Sequence, residues 1–191
     1  ANEGLIGIKI KGDKATIIEI NSETDFVSRN SEFHKLVDSI LNLSISNFDN
    51  SEKTMSQATD LVSSAVSKIG ENIILRKVES MKGNIFSYVH NSVCENMGKI
   101  GVIISIKSEE KNLDEIGKNL CMHIAASSPK SITVEDLDQT VVEMEKEIIN
   151  KQLKDSGKPS NIIEKMLDGK IKKFTEESTL LGQKFVIDPS L

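Results

Sequence analysis

Two apolar, β-branched segments near the start of the chain constrain the fold more than any other feature. Between residues 5–11 and 15–21 the chain turns at Gly12 and Asp13, which tolerate positive φ, and this arrangement predicts a β-hairpin. Helical spacing then replaces alternation and predicts a helix over 31–43, capped by Asn30 or Ser31. Its apolar residues are Phe33, Leu36, Val37, Ile40 and Leu41.

A second helix and a second hairpin complete the first ninety residues. The helix is predicted from Met55, Leu61, Val62, Ala65, Val66 and Ile69, and Gly70 would end it. Strands are predicted over 72–78 and 84–90, with a turn at Lys82 and Gly83. Hairpin, two helices and hairpin indicate an α+β unit with antiparallel strands. We assign residues 1–92 to this N-terminal core subdomain.

The pattern starts again after residue 92. Residues 99–107 resemble the first strand, and a helix is predicted over 113–127, ended by Pro129. This looks like a shorter copy of the same sheet-plus-helix unit, so the prediction is two related subdomains. Residues 93–132 and 182–191, including a predicted strand over 183–187, would form the C-terminal core subdomain.

The residues between these two pieces, 133–181, have the pattern of two helices with narrow apolar stripes. Residues 156–159, which include Gly157 and Pro159, separate the helices, and so short a connection makes them antiparallel. We predict an inserted helical hairpin with a coiled-coil-like seam. Two ordinary surface helices are the alternative.

A short segment that consists of Thr24, Asp25, Phe26 and Val27 lies where the second predicted strand ends and a helix begins. Such connections are usually polar, yet this 24–27 segment places a large aromatic ring beside a carboxylate. The ring either packs back across the start of the helix or points outward to meet a partner. Local chemistry by itself favours the packed-back conformation.

The composition is that of a soluble globular protein. With 38 % hydrophobic and 28 % charged residues and a net charge of -5, a nucleic-acid-binding face over most of the surface is not expected. Two cysteines, Cys94 and Cys121, form neither a disulfide framework nor a zinc pattern, which favours a reducing, cytoplasmic setting. The apolar runs are too short to span a membrane, and no secretory signal is visible.

Motifs of catalysis are not found in the sequence. Gly98-Lys99 and Gly157-Lys158 lack the residues of a phosphate-binding loop. The three histidines lie far apart, and His90 with Cys94 is the closest approach to a metal-ligand spacing. A binding or regulatory protein, rather than an enzyme, is therefore expected.

Five segments together resemble bacterial elongation factor Ts, the guanine-nucleotide exchange factor of elongation factor Tu. They are the 24–27 segment directly after residues 19–23, then residues 68–73, 122–127, 156–159 and 182–186. They occur in the family's order over nearly the whole chain. The family begins with a small three-helix domain, and longer members continue beyond Ser190; we expect neither part in this chain.

The resemblance implies a mechanism and a set of contacts. Asp25 and Phe26, flanked by Thr24 and Val27, would point outward and disturb the magnesium and phosphate contacts of elongation factor Tu, so that GDP leaves. The factor would bind the GDP-bound partner and stay on its nucleotide-free form until GTP binds. Ile100, Gly101 and His123 resemble the family's second contact set.

The resemblance also has implications for cofactors, for partners and for the helical hairpin. It would carry no cofactor of its own, because the magnesium belongs to the partner, and it would bind neither nucleic acid nor membrane. The helical hairpin would contact another part of the same partner or mediate a homodimer. The alternative function is a scaffold or dimerisation module that uses the hairpin, with the 24–27 segment packed against the body.

Overall fold

A computed structural model describes residues 3–191 of the chain, which divide into two compact units between Ala125 and Ala126. The first unit contains five strands, three helices and one turn of 3-10 helix at Val27–Arg29. The strands are β1 (Glu3–Lys11), β2 (Lys14–Ser22), β3 (Ile74–Lys82), β4 (Ile85–Cys94) and β5 (Met97–Ser105). The helices are α1 (Ser31–Ser46), α2 (Ser51–Ile69) and α3 (Leu113–Ser127), the last of which ends just past the boundary.

The strands form one antiparallel sheet in the order β3-β2-β1-β5-β4. The predicted first hairpin is confirmed, with Lys11 opposite Lys14 and Gly12 at a φ of 61° in the turn. A left-handed backbone suits glycine, which has no Cβ to clash. The second predicted hairpin is wrong, because β3 and β4 do not pair with each other: β3 pairs with β2, β4 pairs with β5, and the two strands lie at opposite edges of the sheet.

The α+β class with antiparallel strands is confirmed, and the sheet is continuous across the predicted subdomain boundary. Strand β5, which we assigned to a separate C-terminal subdomain, pairs with β1 at Ile6–Gly98 and Gly7–Met97. The β1–β2 hairpin leaves one edge of β1 unpaired, and β5 pairs with part of that edge. The division into residues 1–92, 93–132 with 182–191, and 133–181 stays a prediction.

Local side chains determine where α1 and α2 begin and end. The side-chain oxygen of Asn30 accepts hydrogen bonds from the backbone N–H groups of Glu32, at 2.8 Å, and Phe33, at 3.4 Å, so it is the predicted N-cap of α1. Asn50 caps α2 in the same way. Gly70 ends α2 with a φ of 80°, as predicted.

The core of the first unit lies between the sheet and the apolar face of α1. Phe33, Val37 and Ile40 have no exposed surface, and they belong to the same buried cluster as Ile18 and Ile20 of β2. This is the helix face that the 3-4 spacing predicts. The core is aliphatic apart from Phe33, in keeping with a chain that has six Phe, one Tyr and no Trp.

The second unit contains two helices, α4 (Gln139–Asp155) and α5 (Ser160–Glu177), which contact each other. Asp138 caps α4, Gly157 follows it in the left-handed conformation, and Pro159 precedes α5. Gly157 and Pro159 are the stop and start signals that the sequence predicts, whereas the cap at Asp138 was not predicted. The two helices lie where the sequence predicts them and contact each other, whereas the coiled-coil-like hairpin stays a prediction.

The predicted strand over 183–187 is wrong. Its residues are irregular and pair with no strand in the described part of the chain. The backbone N–H groups of Gly182 and Gln183 donate to the Thr179 carbonyl, at 3.2 and 3.0 Å, and so continue the turn that follows α5. Apolar alternation makes a strand only where a sheet edge is available to pair with it.

Within residues 3–191, we find no helix with the length and apolar character that crossing a membrane requires.

Candidate functional site

The 24–27 segment places two adjacent apolar side chains in opposite environments. Phe26 is 80 % exposed, whereas Val27 is 3 % exposed and belongs to the core cluster. The local preference for a packed-back Phe26 is therefore wrong, because Val27 takes that position at the start of the 3-10 helix. The exposed ring of Phe26 has the outward orientation that the resemblance implies.

A carboxylate from a distant part of the chain holds the first half of this segment. Both oxygens of Glu71 accept hydrogen bonds from Thr24, one from its backbone N–H at 3.1 Å and one from its hydroxyl at 2.6 Å. The hydroxyl of Ser22 donates to the Thr24 carbonyl at 3.0 Å. Hydrogen bonds to a charged acceptor are the stronger kind, so Thr24 is anchored on both sides.

Hydrogen bonds from the next residues in the chain hold the second half of the segment. The hydroxyl of Ser28 donates to the Asp25 carbonyl at 2.6 Å, and the Arg29 N–H donates to the Phe26 carbonyl at 3.2 Å. Ser28 is itself buried. The backbone carbonyls of Asp25 and Phe26 are thus both hydrogen-bonded, and the segment that carries the exposed ring is ordered before a partner binds.

Asp25 lines an open cavity of about 340 Å³ between this segment and the ends of β4 and β5. Arg29 and Lys99 also line the cavity, so one acidic and two basic residues surround it. Lys99 is paired with Glu3 at 2.5 Å. Since Lys99 directly precedes Ile100, the cavity connects the 24–27 segment to the strand that carries part of the second contact set.

The second set of predicted contact residues lies partly on the surface and partly in the interior. Ile100 is exposed on β5 opposite His90, and Gly101 follows it. A Cβ at Gly101 would collide with the side chain of Ile6, so this position requires glycine for close packing. His123 on α3 is only 1 % exposed, and contact with a partner would require it to become accessible.

Titratable side chains that lie close together are the other candidates for a functional site. No three His, Cys, Asp or Glu residues within 3–191 lie close enough together to hold a metal ion. His90 shares a hydrogen bond with the Tyr88 hydroxyl, at 2.9 Å, whereas the histidine beside Cys94 is His34. An exposed aromatic ring on an ordered backbone is instead typical of a protein-binding surface.

Comparison with known proteins gives the family. A family model described as Elongation factor TS matches residues 23–191. The chain is 43 % identical to elongation factor Ts of Paracoccus denitrificans, over the whole chain and 67 % of that protein. It is 42 % identical to elongation factor Ts of Rhizobium johnstonii, over the whole chain and 66 % of that protein. The chain belongs to the elongation factor Ts family, and it spans about two thirds of the length of these relatives.

Sequence reasoning missed the residues that support the segment, above all Glu71. The signal was present, because Glu71 lies inside the 68–73 motif that resembles the family's second signature. The structure explains why the two motifs occur together: the second supplies the carboxylate that anchors Thr24 of the first. Lys99 occurs in Gly98-Lys99, which lacks the residues of a phosphate-binding loop, so the sequence predicted no role for it.

Replacing Glu71 with alanine should loosen the 24–27 segment. The loss of two hydrogen bonds to one carboxylate is expected to lower the free energy of unfolding by about 1–2 kcal/mol. Backbone amides of the segment should exchange with deuterium faster, as measured by mass spectrometry. Glu23→Ala is the matched control, since Glu23 accepts a single 3.4 Å bond from the Asn72 N–H at the surface. Equal exchange in the two variants would contradict an anchoring role for Glu71.

Proposed function

We propose that this chain is a guanine-nucleotide exchange factor that binds elongation factor Tu·GDP and promotes GDP release. The observation that carries the proposal is Phe26, which is exposed on a hydrogen-bonded segment beside the exposed carboxylate of Asp25. In this mechanism the ring enters the partner near its nucleotide site, and Asp25 disturbs the magnesium and phosphate contacts. Family membership supports the choice of partner.

Binding energy sets a limit on what the ring can do alone. Burial of one Phe side chain stabilises a complex by about 1.5–3 kcal/mol. A ten-thousandfold loss of GDP affinity requires about 5.5 kcal/mol of differential binding. The remainder must come from other surfaces, and we propose Ile100, Gly101, His123 and the helical hairpin for that part.

Thermodynamic linkage describes the rest of the cycle. If the chain lowers the partner's affinity for GDP by some factor, bound GDP must lower the partner's affinity for the chain by the same factor. The complex with the nucleotide-free partner is therefore the tightest one, and it persists until GTP binds. The magnesium ion in this mechanism belongs to the partner, so the chain acts through contacts and not through a reaction of its own. Such a factor would act in the cytoplasm, where translation takes place.

Stopped-flow release of a fluorescent GDP analogue from elongation factor Tu tests the proposal. The chain should accelerate release in a concentration-dependent way, and Asp25→Ala should slow release at concentrations where binding is still complete. Asp60→Ala, an exposed carboxylate on α2, is the control and should behave like wild type. No acceleration by the wild-type chain, or equal rates for wild type and Asp25→Ala, would overturn the proposed role.

A second candidate function is self-association through the hairpin. Met144 and Ile148 lie four residues apart on α4 and are both exposed, at 60 % and 50 %. Residues with this spacing share one face of a helix, and an exposed apolar face is a site for a partner. Light scattering over a range of concentrations distinguishes a homodimer from a monomer, and Met144→Lys should shift a genuine dimer towards monomer.

A further inference from the structure

Two sulfur atoms and one imidazole nitrogen, all potential metal ligands, lie together where the β4–β5 turn meets helix α1. The Sγ atom of Cys94 lies 3.8 Å from Nδ1 of His34 and 3.4 Å from Sδ of Met97. Cys94 and Met97 belong to the two sides of one tight turn, and His34 belongs to the first part of α1. None of the three takes part in the proposed exchange mechanism.

The imidazole of His34 is held in the orientation and tautomer of a ligand. Its Nε2 lies 2.7 Å from the carbonyl oxygen of Ser28, which can only accept a hydrogen bond, so Nε2 carries the proton. A ring whose single proton is on Nε2 has its lone pair on Nδ1, the atom that lies 3.8 Å from the sulfur of Cys94. Histidine ligands in metal sites are commonly fixed in this way, with the other ring nitrogen donating to a backbone carbonyl.

We propose that His34 Nδ1, Cys94 Sγ and Met97 Sδ form a binding site for a soft monovalent cation, Cu(I). Bonds of about 2.0–2.3 Å to one ion, at trigonal or tetrahedral angles, place ligand atoms roughly 3.5–4 Å apart. The two observed separations, 3.4 and 3.8 Å, are close to that range before any ion is bound. Thiolate and thioether sulfur are the ligands that select Cu(I).

The surroundings favour entry of a cation. An open cavity of about 290 Å³ reaches Cys94 and Met97, and Asp38 and Glu95 line it together with Lys9. Burial, with a smaller contribution from Asp38, raises the pKa of the Cys94 thiol, so the free protein keeps it protonated. On binding, the S–H bond breaks, the proton leaves to solvent and the sulfur lone pair forms the bond to the ion. The bound cation offsets the charge of Asp38, and no electron is transferred.

The ligand set also discriminates against zinc. Zinc sites use thiolate, imidazole and carboxylate ligands, usually four of them. In the described residues no group of three such side chains surrounds this position, and the third ligand atom available is the thioether of Met97. A thioether contributes little to a Zn(II) site, whereas it suits Cu(I).

Competition with a chromogenic Cu(I) chelator, under reducing and oxygen-free conditions, tests the site in the full 191-residue chain. Wild type should remove one Cu(I) from the chelator. Met97→Leu conserves the buried volume but removes the thioether. It should weaken Cu(I) binding at least about tenfold, which is the lower end of the loss seen when even an outer-shell partner of a metal ligand is removed. Cys94→Ser should abolish binding. Cys121→Ser and His90→Gln are controls that should bind as wild type.

A spectroscopic readout separates a built site from capture by a thiol alone. Ag(I) is a redox-inert probe of similar softness. Its addition should shift the nitrogen NMR signal of His34 Nδ1 and leave that of His90 unchanged. Wild-type affinity in both Met97→Leu and His34→Gln would overturn the proposal, because Cys94 would then hold the ion alone. Cys121 is a poor competitor, because its side chain has no exposed surface, whereas an open cavity reaches Cys94. The outcome is independent of the exchange assay.

Discussion

Phe26→Ala should slow the release of GDP from elongation factor Tu by about 10- to 100-fold at a saturating concentration of the chain. Removal of the ring forfeits the roughly 1.5–3 kcal/mol that its burial against the partner would supply at the step where GDP leaves. The complex itself should still form, because most of the binding surface is elsewhere. Stopped-flow release gives the rate, and calorimetric titration with the nucleotide-free partner gives the affinity.

Two further variants make this test specific to the ring at position 26. Phe26→Leu keeps a large apolar side chain and should retain an intermediate rate. Ile10→Ala removes an exposed apolar side chain at the opposite end of the β1–β2 hairpin and should release GDP like wild type. If all three variants match wild type, the ring does not act as a wedge, and the 24–27 segment has another role.

The same substitution at Phe33 should act on stability instead. Phe33 has no exposed surface and fills the centre of the α1–sheet core, so Phe33→Ala should lower the free energy of unfolding by about 3–5 kcal/mol. That is a large part of the total stability of a typical domain, and we expect partial unfolding at 37 °C. Chemical denaturation followed by circular dichroism measures the change.

Phe26→Ala is the matched control for this second prediction. The change in chemistry is identical, but the side chain is 80 % exposed, so the expected change in stability is within about 0.5 kcal/mol. A similar loss at the two positions would mean that Phe26 packs against the protein in solution. The pair of variants therefore separates a residue that holds the fold from one that is presented to a partner.

Features with local causes could be predicted from the sequence. The turn at Gly12, the cap at Asn30 and the stop at Gly70 each depend on the conformational preference of one residue and its immediate neighbours. The apolar face of α1 follows from its spacing in the same way. These features are enough to establish the α+β class and the order of its elements.

Features with non-local causes could not be predicted in this way. The pairing of β5 with β1 depends on which sheet edge is unpaired after the first hairpin forms, and apolar content alone does not reveal it. Residues 183–187 have the composition of a strand but no edge to join. The outward orientation of Phe26 depends on Val27 filling the space beside α1 and on Glu71 reaching Thr24 from 47 positions away.

The continuity of the sheet has a consequence for how affinity would be divided between the two proposed contact sets. Strand β1 is hydrogen-bonded to β2 on one side, which leads to Phe26, and to β5 on the other, which carries Ile100. Backbone hydrogen bonds therefore link the strand before Phe26 to the strand that carries Ile100 and Gly101. Once one set binds, the other is held at a high effective concentration near its own target, and docking it costs little conformational entropy. Two individually weak contacts could then act as one tight bivalent ligand.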